Sequence, residues 1–330
     1  MAKITDPKVL NDSEEILDKS LRPKDLSQMI GREIEKKSIG IMIESAKMRG
    51  KSLDHILFHG PPGLGKTSFA HVIANEMNSQ IYVTNGSVLD KSGDIAAILT
   101  SLEPNSILFI DEIHRLKQQI EEILYPAMED SVIDIIIGKG PNAKTLRLDL
   151  PPFTIIGATT KLSMISGPLR DRFGMSFRLD FYSDNELQEL IKQKAKMLGI
   201  TIDEDAALEI AKRSRMTARI AIRLLKRTRD LAVVGGEDKI TMDLAKKTLS
   251  LLDIDDNGLD VLDRSILKII TKHFHNKPVG LSTLSASLSE ESETIETVYE
   301  PFLMKKGFLK RTPKGRVVTD LALRFYSNII

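Results

Sequence analysis

Short apolar runs alternate with helix-like patterns between Ile30 and Tyr182. In the helix-like stretches, apolar residues recur every three to four positions. The short runs predict β-strands at Ile56–Phe58, Ile81–Thr84, Ile107–Ile110 and Phe153–Ala158. Because strands that alternate with helices form parallel sheets with helical crossovers, this half predicts an α/β domain with helices on both faces of a parallel sheet.

One segment of this half has a different pattern. Residues Ile133–Leu148 contain two apolar stretches around a turn rich in glycine, proline and asparagine. Such a turn between two strand-like stretches predicts a β-hairpin inserted into the α/β domain.

The pattern becomes helical after Tyr182. Ser183 and Glu186 have the spacing of a capping box, which marks a helix start. Four helices are predicted, at about 184–198, 205–213, 217–232 and 241–250. They indicate a small all-helical domain.

A third domain is predicted after the acidic, glycine-ended linker Asp253–Gly258. Helices are expected from Leu259, over Leu281–Leu288, and from Glu293 to about Lys306. A Pro-Lys-Gly turn at 313–315 then predicts a two-stranded wing, so that this part reads as a winged helix. The predicted domains are residues 1–182, 183–253 and 256–330.

Composition narrows the function only by exclusion. The 330 residues contain no cysteine, which excludes disulfides, thiol catalysis and cysteine-based zinc sites. The net charge of +1 means that a nucleic-acid site would have to be a local patch. Without a signal-like start or an apolar run long enough to span a bilayer, we expect a cytoplasmic protein with no membrane partner.

The strongest chemical signal is Gly60–Thr67, which matches the phosphate-binding loop G-x-x-x-x-G-K-[ST] at every fixed position. It follows a strand and opens a helix, as that loop requires. Glycines such as Gly63 and Gly65 let backbone N–H groups surround a polyphosphate at the helix N-terminus. Lys66 is expected to reach the outer phosphates of a nucleotide, and Thr67 to offer its hydroxyl to Mg²⁺.

Two acids end the third predicted strand, 45 residues after Lys66. Asp111 is expected to hold Mg²⁺ through water, and Glu112 to orient and deprotonate the attacking water. The alternative is a purely structural role, in which the two acids cap a strand at the protein surface. His114 follows them, and we expect a solvated polar residue there rather than a sensor.

Two further positions leave alternatives open. Thr159 ends the fourth strand, where its hydroxyl could sense a γ-phosphate or simply reflect the preference of threonine for strands. Arg172 lies beside a turn, where it could stabilise a transferring phosphoryl group, even on a neighbouring subunit, or pair with Asp171 at the surface.

Two groups of basic residues stand out in the second half. Arginines recur every four residues at positions 215, 219, 223 and 227, which on a helix gives one stripe, by default a solvated face. The stretch from Lys305 to Arg316 contains six basic residues and no acid, which suits phosphate contacts. Because winged helices also bind proteins, the stretch alone leaves both partners open.

Several motifs together resemble the RuvB family of AAA+ ATPases, over nearly the whole chain from Leu21 to Arg316. The resemblance rests on Gly60–Thr67, Asp111–Arg115, Glu121–Asp130, Gly138–Pro141, Asp149–Phe153, Pro168–Gly174, Pro278–Leu281 and Gly307–Arg316. It implies an α/β and helical-lid ATPase module followed by a winged helix. It also implies a homohexamer around duplex DNA, recruited to Holliday junctions by RuvA and acting with RuvC.

The resemblance also assigns roles to residues at matching positions. It implies that the hairpin 133–148 docks RuvA, that Arg172 is an arginine finger acting across a subunit boundary, and that Thr159 is the γ-phosphate sensor. The positions that it places near nucleotide are Leu21, Arg22, Gly63, Gly65, Lys66, Thr67, Ser68, Glu129, Asp130, Ser131, Arg172, Tyr182 and Arg219. Arg311 and Arg316 match its DNA-contacting wing arginines.

The lid sensor motif departs from the family pattern. The family usually has Gly-Thr-Pro-Arg, whereas this chain has Met216-Thr217-Ala218-Arg219. Methionine does not adopt positive φ as cheaply as glycine, so the departure puts the lid geometry in question more than the activity.

The function expected from these observations is an ATP-driven motor that moves Holliday junctions in recombination and repair. A clamp-loader-type ATPase is the alternative from the same superfamily. A winged-helix transcription regulator that uses ATP as a switch is the alternative from another class.

Overall fold

The computed structural model describes residues 20–137 and 144–326, which fall into two compact units. The first unit contains the described residues up to His59 together with Gly65–Arg178. The second contains Gly60–Leu64 and the chain from Leu179 onward. Among the described residues, no helix is both long and apolar enough to cross a membrane.

A five-stranded parallel sheet forms the centre of the first unit. Its strands are β1 (Ile56–His59), β2 (Ile81–Asn85), β3 (Ser106–Asp111), β6 (Phe153–Thr159) and β7 (Met175–Arg178), in the order β2-β3-β6-β1-β7. Strand β6 is buried along its whole length, and β3 is buried from Ser106 to Ile110. Strands covered on both faces read as continuous apolar runs, which is why the sequence showed them clearly.

Within the described residues, five helices accompany the sheet. They are α1 (Glu33–Arg49), α2 (Lys66–Glu76), α3 (Ser92–Thr100), α4 (Gln118–Asp130) and α5 (Gly167–Asp171). Short 3₁₀ turns lie at Leu26–Gln28, Ile113–Arg115 and Leu162–Met164. One apolar cluster joins β3 and β6 to α3, α4 and α5 through residues such as Leu108, Ile155 and Leu169.

The four strands predicted from apolar runs are confirmed, and the fold adds one that the pattern did not show. Strand β7 has the sequence Met-Ser-Phe-Arg, and only Phe177 is buried. It is the edge strand of the sheet, beside β1. Few of its side chains are packed against other elements, so few of them need to be apolar. An edge strand with one buried side chain leaves no periodic signal.

The predicted hairpin is present as β4 (Val132–Ile137) and β5 (Lys144–Asp149), which pair antiparallel. Its predicted turn at 138–143 lies outside the described residues. Ile133 is fully buried at the base of the hairpin, while Arg147 donates two hydrogen bonds to the Asp134 carboxylate, at 2.9 and 3.0 Å.

The helical part of the second unit contains α6 (Asp184–Met197), α7 (Glu204–Lys212), α8 (Ala218–Gly235) and α9 (Met242–Leu251). The predicted capping box is present, since Ser183 and Glu186 bond each other's backbone N–H groups. One feature was not predicted in this all-helical segment. The two-residue strands β8 (Thr201–Ile202) and β9 (Lys239–Ile240) pair in parallel between the helices.

The winged helix follows in the same unit. It contains α10 (Val261–Lys268), α11 (Leu281–Leu288), α12 (Ser292–Thr294), α13 (Glu300–Lys305) and α14 (Asp320–Phe325). π-helical turns at Ile269–His273 and Ile295–Tyr299 extend α10 and join α12 to α13. Strands β10 (Leu309–Thr312) and β11 (Gly315–Val318) form the predicted antiparallel wing.

Candidate functional site

The predicted chemical residues of the first unit end neighbouring strands at one edge of the sheet. Asp111 is the last residue of β3 and pairs in register with Asn85 of β2. Thr159 is the last residue of β6 and pairs with His59 of β1. Ligands of open α/β sheets bind at the carboxyl ends of the strands, so this edge is the candidate site.

Helix α2 begins at this edge with Lys66. Its N-cap is Gly65, whose φ of 97° lies in the region that favours glycine. The Lys66 side chain is only 8% exposed. Thr67 and Ser68 follow in the first helical turn, so two hydroxyls and the backbone N–H groups of the helix start lie together.

The preceding loop residues pack on the helical part of the second unit. Gly63 has φ of 79°, and a Cβ there would lie 3.1 Å from Cβ of Arg219 and 3.3 Å from Cβ of Thr217. Arg219 N–H donates to the Gly63 carbonyl at 3.3 Å, and the Tyr182 hydroxyl donates to the Leu64 carbonyl at 3.4 Å. Three positions predicted to bind nucleotide therefore lie together.

The two acids differ in their surroundings. Oδ1 of Asp111 accepts the Glu112 N–H at 2.9 Å, which fixes the carboxylate at the strand end. Glu112 has a left-handed backbone with φ of 47°, and its carboxylate lies 3.0 Å from Nε of Arg115. A non-glycine residue in this conformation is uncommon, and here it directs the chain into the 3₁₀ turn Ile113–Arg115.

His114 is buried, so the expectation of a solvated residue is wrong. It is 6% exposed, and Nδ1 lies 2.9 Å from the Thr159 hydroxyl, which is also buried. The same hydroxyl accepts the Lys161 N–H at 2.9 Å. Sequence reasoning missed this pairing because the two residues lie 45 positions apart and meet only when β3 and β6 become neighbours.

The residues before α1 contact α2. Leu21 is buried, and Arg22 donates to Nε2 of His71 at 2.8 Å. Burial lowers the pKa of His71, and the charge of Arg22 lowers it further. His59, at the end of β1, also has a lowered pKa, caused by burial and then by Arg178 and Lys66.

Arg172 lies at the opposite edge of the same sheet. It lines a cavity of about 360 Å³ together with Leu53, His55 and Phe153, which precede or begin β1 and β6. Thr159 is six residues further along β6, which corresponds to about 20 Å of extended strand. This distance exceeds the reach of an arginine side chain.

The contacts of Arg172 differ from the predicted pairing with Asp171. Its guanidinium lies 3.1 Å from the Glu129 carboxylate, donates to the Pro168 carbonyl at 2.7 Å and stacks over the Tyr125 ring at 4.5 Å. Among the described residues, its Nε is buried without a hydrogen-bond partner. Glu129, Asp130 and Ser131 all lie at the end of α4, beside this arginine.

The predicted arginine stripe is wrong for Arg215. Helix α8 begins at Ala218, so Arg215 precedes it and is 9% exposed. Arg215 and Met216 both have positive φ, 51° and 56°. Met216 therefore adopts the conformation that the family pattern assigns to glycine.

The two wing arginines are not equally exposed. Arg311 is exposed and lies 2.6 Å from the Glu296 carboxylate. Arg316 is 8% exposed, and its Nε and Nη2 donate to the buried Glu300 carboxylate, the second at 3.2 Å. Lys305, Lys310 and Lys314 are exposed around them.

A parallel sheet with a phosphate-binding loop after β1, two acids where β3 ends, a helical lid and a winged helix defines an AAA+ ATPase with an attached winged helix. Comparison with known proteins narrows this class. Residues 21–179 match the Holliday junction DNA helicase RuvB P-loop domain, residues 182–255 the RuvB AAA lid domain, and residues 256–327 the RuvB C-terminal winged helix domain.

Individual relatives agree over almost the whole chain. The Holliday junction branch migration complex subunit RuvB of Fusobacterium nucleatum is 55% identical over 313 residues, covering 95% of this chain and 94% of that protein. The Thermotoga maritima protein of the same name is 55% identical over 304 residues, covering 92% and 91%. The solved Thermotoga maritima RuvB branch migration motor superposes with a TM-score of 0.86 at 51% identity, covering 93% of this chain and 98% of that one.

The chain belongs to the RuvB family. The predicted fold class and the predicted function, ATP-driven branch migration of Holliday junctions, are confirmed, and neither the clamp-loader nor the transcription-regulator alternative is favoured.

Proposed function

We propose that this chain hydrolyses ATP at the carboxyl-terminal edge of its sheet to drive branch migration. Lys66 and the N–H groups at the start of α2 bind the phosphates. Glu112 orients the attacking water and accepts its proton, and Thr159 contacts the terminal phosphate. In-line phosphoryl transfer depends mainly on positioning and electrostatics, which these groups supply.

Mg²⁺ is the metal that fits this edge. Thr67 and Asp111 supply oxygen donors, which Mg²⁺ prefers, and it usually completes its coordination with phosphate oxygens and water. When bound, the ion neutralises charge that develops on the phosphates. The residues that would hold it are the Thr67 hydroxyl and the Asp111 carboxylate, the latter through water.

The observation that carries the proposal is the separation of Arg172 from the other catalytic residues. Within one chain, Arg172 lines a cavity with Phe153, the first residue of β6, whereas Thr159 is the last residue of that strand, about 20 Å further along it. An arginine that cannot reach its own site can serve the site of a neighbour. We therefore infer a ring in which Arg172, with Glu129–Ser131 beside it, completes the adjacent subunit's site, and a homohexamer is the ring that the family implies.

A mixing experiment tests this arrangement. Arg172→Ala and Lys66→Ala are each expected to lack ATPase activity. Mixed rings should recover part of it, because an intact Lys66 site can face an intact Arg172 of its neighbour. Absence of recovery at every mixing ratio, with mixed rings verified by cross-linking, would count against a role in trans.

Glu112 has its own test. Glu112→Gln keeps the size and hydrogen bonding of the side chain but removes the base. We expect unchanged ATP binding and loss of turnover by about 10²-fold or more. Turnover near that of the unaltered protein would exclude Glu112 as the base.

The adenine end of the nucleotide is assigned to Leu21, Arg22 and Tyr182, and Arg219 is the lid arginine that senses bound nucleotide. Two hydrogen bonds within the second unit support this assignment. The Arg219 N–H donates to the Gly63 carbonyl, and the Tyr182 hydroxyl donates to the Leu64 carbonyl. These contacts tie the lid directly to the phosphate-binding loop.

Duplex DNA is the proposed partner of the wing. Arg311 and the exposed lysines provide phosphate contacts. Arg316, whose guanidinium is paired with the Glu300 carboxylate, contributes positive charge to the same surface. Arg311→Ala should weaken DNA binding and reduce the slope of log K against log salt by about one. Arg227→Ala, an exposed arginine outside the wing, is the matched control and should leave the slope unchanged.

The hairpin β4–β5 is the proposed docking element for RuvA, and RuvC joins the assembled complex. Leu146 leaves 44% of its surface exposed on this hairpin. Leu146→Asp should abolish RuvA-stimulated branch migration of a synthetic four-way junction while leaving basal ATPase unchanged. Met164→Asp alters another exposed apolar residue of the same unit and should retain stimulation. Equal loss in both variants would argue against docking at the hairpin.

A further inference from the structure

One face of helix α4 lies against the segment that carries Arg172. Glu121, Tyr125 and Glu129 follow each other at intervals of four residues along α4, which places them on the same face. The Arg172 guanidinium lies over the Tyr125 ring at 4.5 Å and 3.1 Å from the Glu129 carboxylate. Two of the three side chains on this face therefore contact the arginine directly.

Hydrogen bonds fix the Tyr125 ring beneath the arginine. Glu121 is buried, and its Oε2 accepts from the Tyr125 hydroxyl at 3.2 Å and also from the Ser166 hydroxyl. The oxygens of these two hydroxyls are 3.1 Å apart. Ser166 is the N-cap of α5, where its Oγ accepts the Leu169 N–H at 3.3 Å, and Arg172 is the C-cap of the same helix. The ring is therefore bonded to the start of the short helix that ends at Arg172.

The three contacts of the guanidinium differ in how readily they can be exchanged. The Glu129 carboxylate is 55% exposed, so another anion can replace it at little cost. The Pro168 carbonyl accepts one N–H group at 2.7 Å. The contact with Tyr125 uses the face of the guanidinium and none of its N–H groups, so it leaves the donors in the plane for an anion.

We propose that Tyr125 is a positioning residue for ATP hydrolysis in the adjacent subunit, because its ring holds the Arg172 guanidinium in place when a phosphate of the neighbour's nucleotide replaces Glu129. Glu121 and Ser166 keep the ring in that orientation. The inference rests on the proposed role of Arg172 in trans. Tyr125 acts only through Arg172.

Substitutions that keep or remove the ring test this role. Tyr125→Phe keeps the ring, and we expect it to retain kcat within about threefold. Tyr125→Leu and Tyr125→Met remove the ring, and each should lower kcat about tenfold, the scale of a partly buried cation–π contact. The dissociation constant of a fluorescent ADP analogue should not change, because the phosphate-binding loop of the same chain is intact.

Tyr82→Leu is the matched control. Tyr82 is also partly buried against the apolar cluster of the first unit, but its hydroxyl donates to the Ser101 carbonyl. We expect this variant to retain kcat within about threefold, since it loses a similar ring away from Arg172. A loss as large as that of Tyr125→Leu would assign the effect to general packing and overturn the proposal.

Mixed rings separate positioning of Arg172 from damage to the chain's own site. Tyr125→Leu mixed with Lys66→Ala should be more active than either variant alone, because an intact Lys66 site can then face a neighbour with an intact Tyr125. Damage to the chain's own site would not be repaired by a neighbour. The proposal is overturned if no mixing ratio gives recovery, if Tyr125→Phe loses as much as Tyr125→Leu, or if both ringless variants are fully active.

The mixture of Arg172→Ala with Lys66→Ala distinguishes failure of this inference from failure of the proposed function. If that mixture shows no recovery, the role of Arg172 in trans fails, whatever position 125 does. If it recovers and Tyr125→Leu is fully active, only the role of Tyr125 is refuted.

Discussion

Two arginines, one in each unit, show how differently the same side chain is used here. Arg172 is partly exposed, with 22% of its side chain accessible, and its partner Glu129 is 55% exposed. Arg215 is buried in the second unit, where it contacts Asp263 and Asp260, donates to the Val298 carbonyl at 3.2 Å and stacks over Tyr299 and Phe302 at 5.0 and 4.6 Å. Arg215 joins the lid turn to α10 and α13 of the winged helix.

The difference follows from desolvation. A buried guanidinium must have its charge and its donors satisfied inside the protein, and removing one partner leaves the other charge uncompensated. An arginine at a surface edge can exchange its partners for a new anion at little cost. Arg215 is therefore a structural connection, and Arg172 is suited to engage another molecule.

The largest expected effect is on activity at Arg172. Arg172→Ala should lower kcat for ATP by about 10³-fold, the scale of an arginine that stabilises transferring phosphoryl charge. Its melting temperature should fall by only a few degrees, because the ion pair with Glu129 is partly exposed. Arg170→Ala, an exposed neighbour, is the control and should retain activity. A large fall in melting temperature for Arg172→Ala would show that Arg172, like Arg215, has a structural role.

At Arg215, we expect a substitution to lower stability strongly. Arg215→Met keeps the apolar bulk on Tyr299 and Phe302 but leaves Asp263 buried without its cation. We expect a loss of about 3–5 kcal/mol in the free energy of unfolding of the second unit, measured by urea denaturation at about pH 9, where the Asp263 carboxyl is ionised. Arg227→Met, whose arginine pairs at the surface, should change that value by less than about 0.5 kcal/mol. Similar stability in the two variants would show that the buried cluster stabilises little.

Asp263 makes this cluster sensitive to pH. Burial raises the pKa of its carboxyl to about 8, with a smaller contribution from Asp260, while Arg215 opposes the rise. The folded state therefore keeps a proton that the unfolded chain loses near pH 4, so stability should fall as pH rises from about 4 to 8.

Asp263→Asn removes this titration. The stability of the variant relative to the unaltered protein should increase between pH 5 and pH 8, by at most about 1.4 kcal/mol per pH unit. Asp238→Asn, at an exposed position, is the control. If the difference in stability between the variant and the unaltered protein does not change with pH, the titration of Asp263 does not control the pH dependence of stability.

The smallest expected effect is at Met216, next to Arg215. A left-handed residue other than glycine costs about 1–2 kcal/mol, whereas glycine loses more entropy on folding. Met216→Gly should therefore stabilise the second unit by about 1 kcal/mol or less, measured by the same denaturation. A clear loss of stability would mean that the methionine side chain contributes more than the backbone conformation costs.

Much of the fold could be predicted because its signals are local. The four strands that read as apolar runs, the capping box at Ser183 and the wing turn at 313–315 each lie within a few residues. Strand β7 and the β8–β9 pair could not be predicted, because each is too short or too exposed to show a period. The burial of His114 and Arg215 was also missed, since their partners Thr159 and Asp263 lie 45 and 48 positions away.

The sequence by itself determined the chemistry of this protein. Its phosphate-binding loop, its paired acids and its basic wing are contiguous patterns whose residue types follow from the groups they bind. Tertiary structure alone decided which of these residues share a site. It places Arg172 at the far edge of the sheet, Thr159 on His114 and Arg316 on Glu300. Such relations depend on strand order and burial, which bring distant residues together and have no counterpart in spacing along the chain.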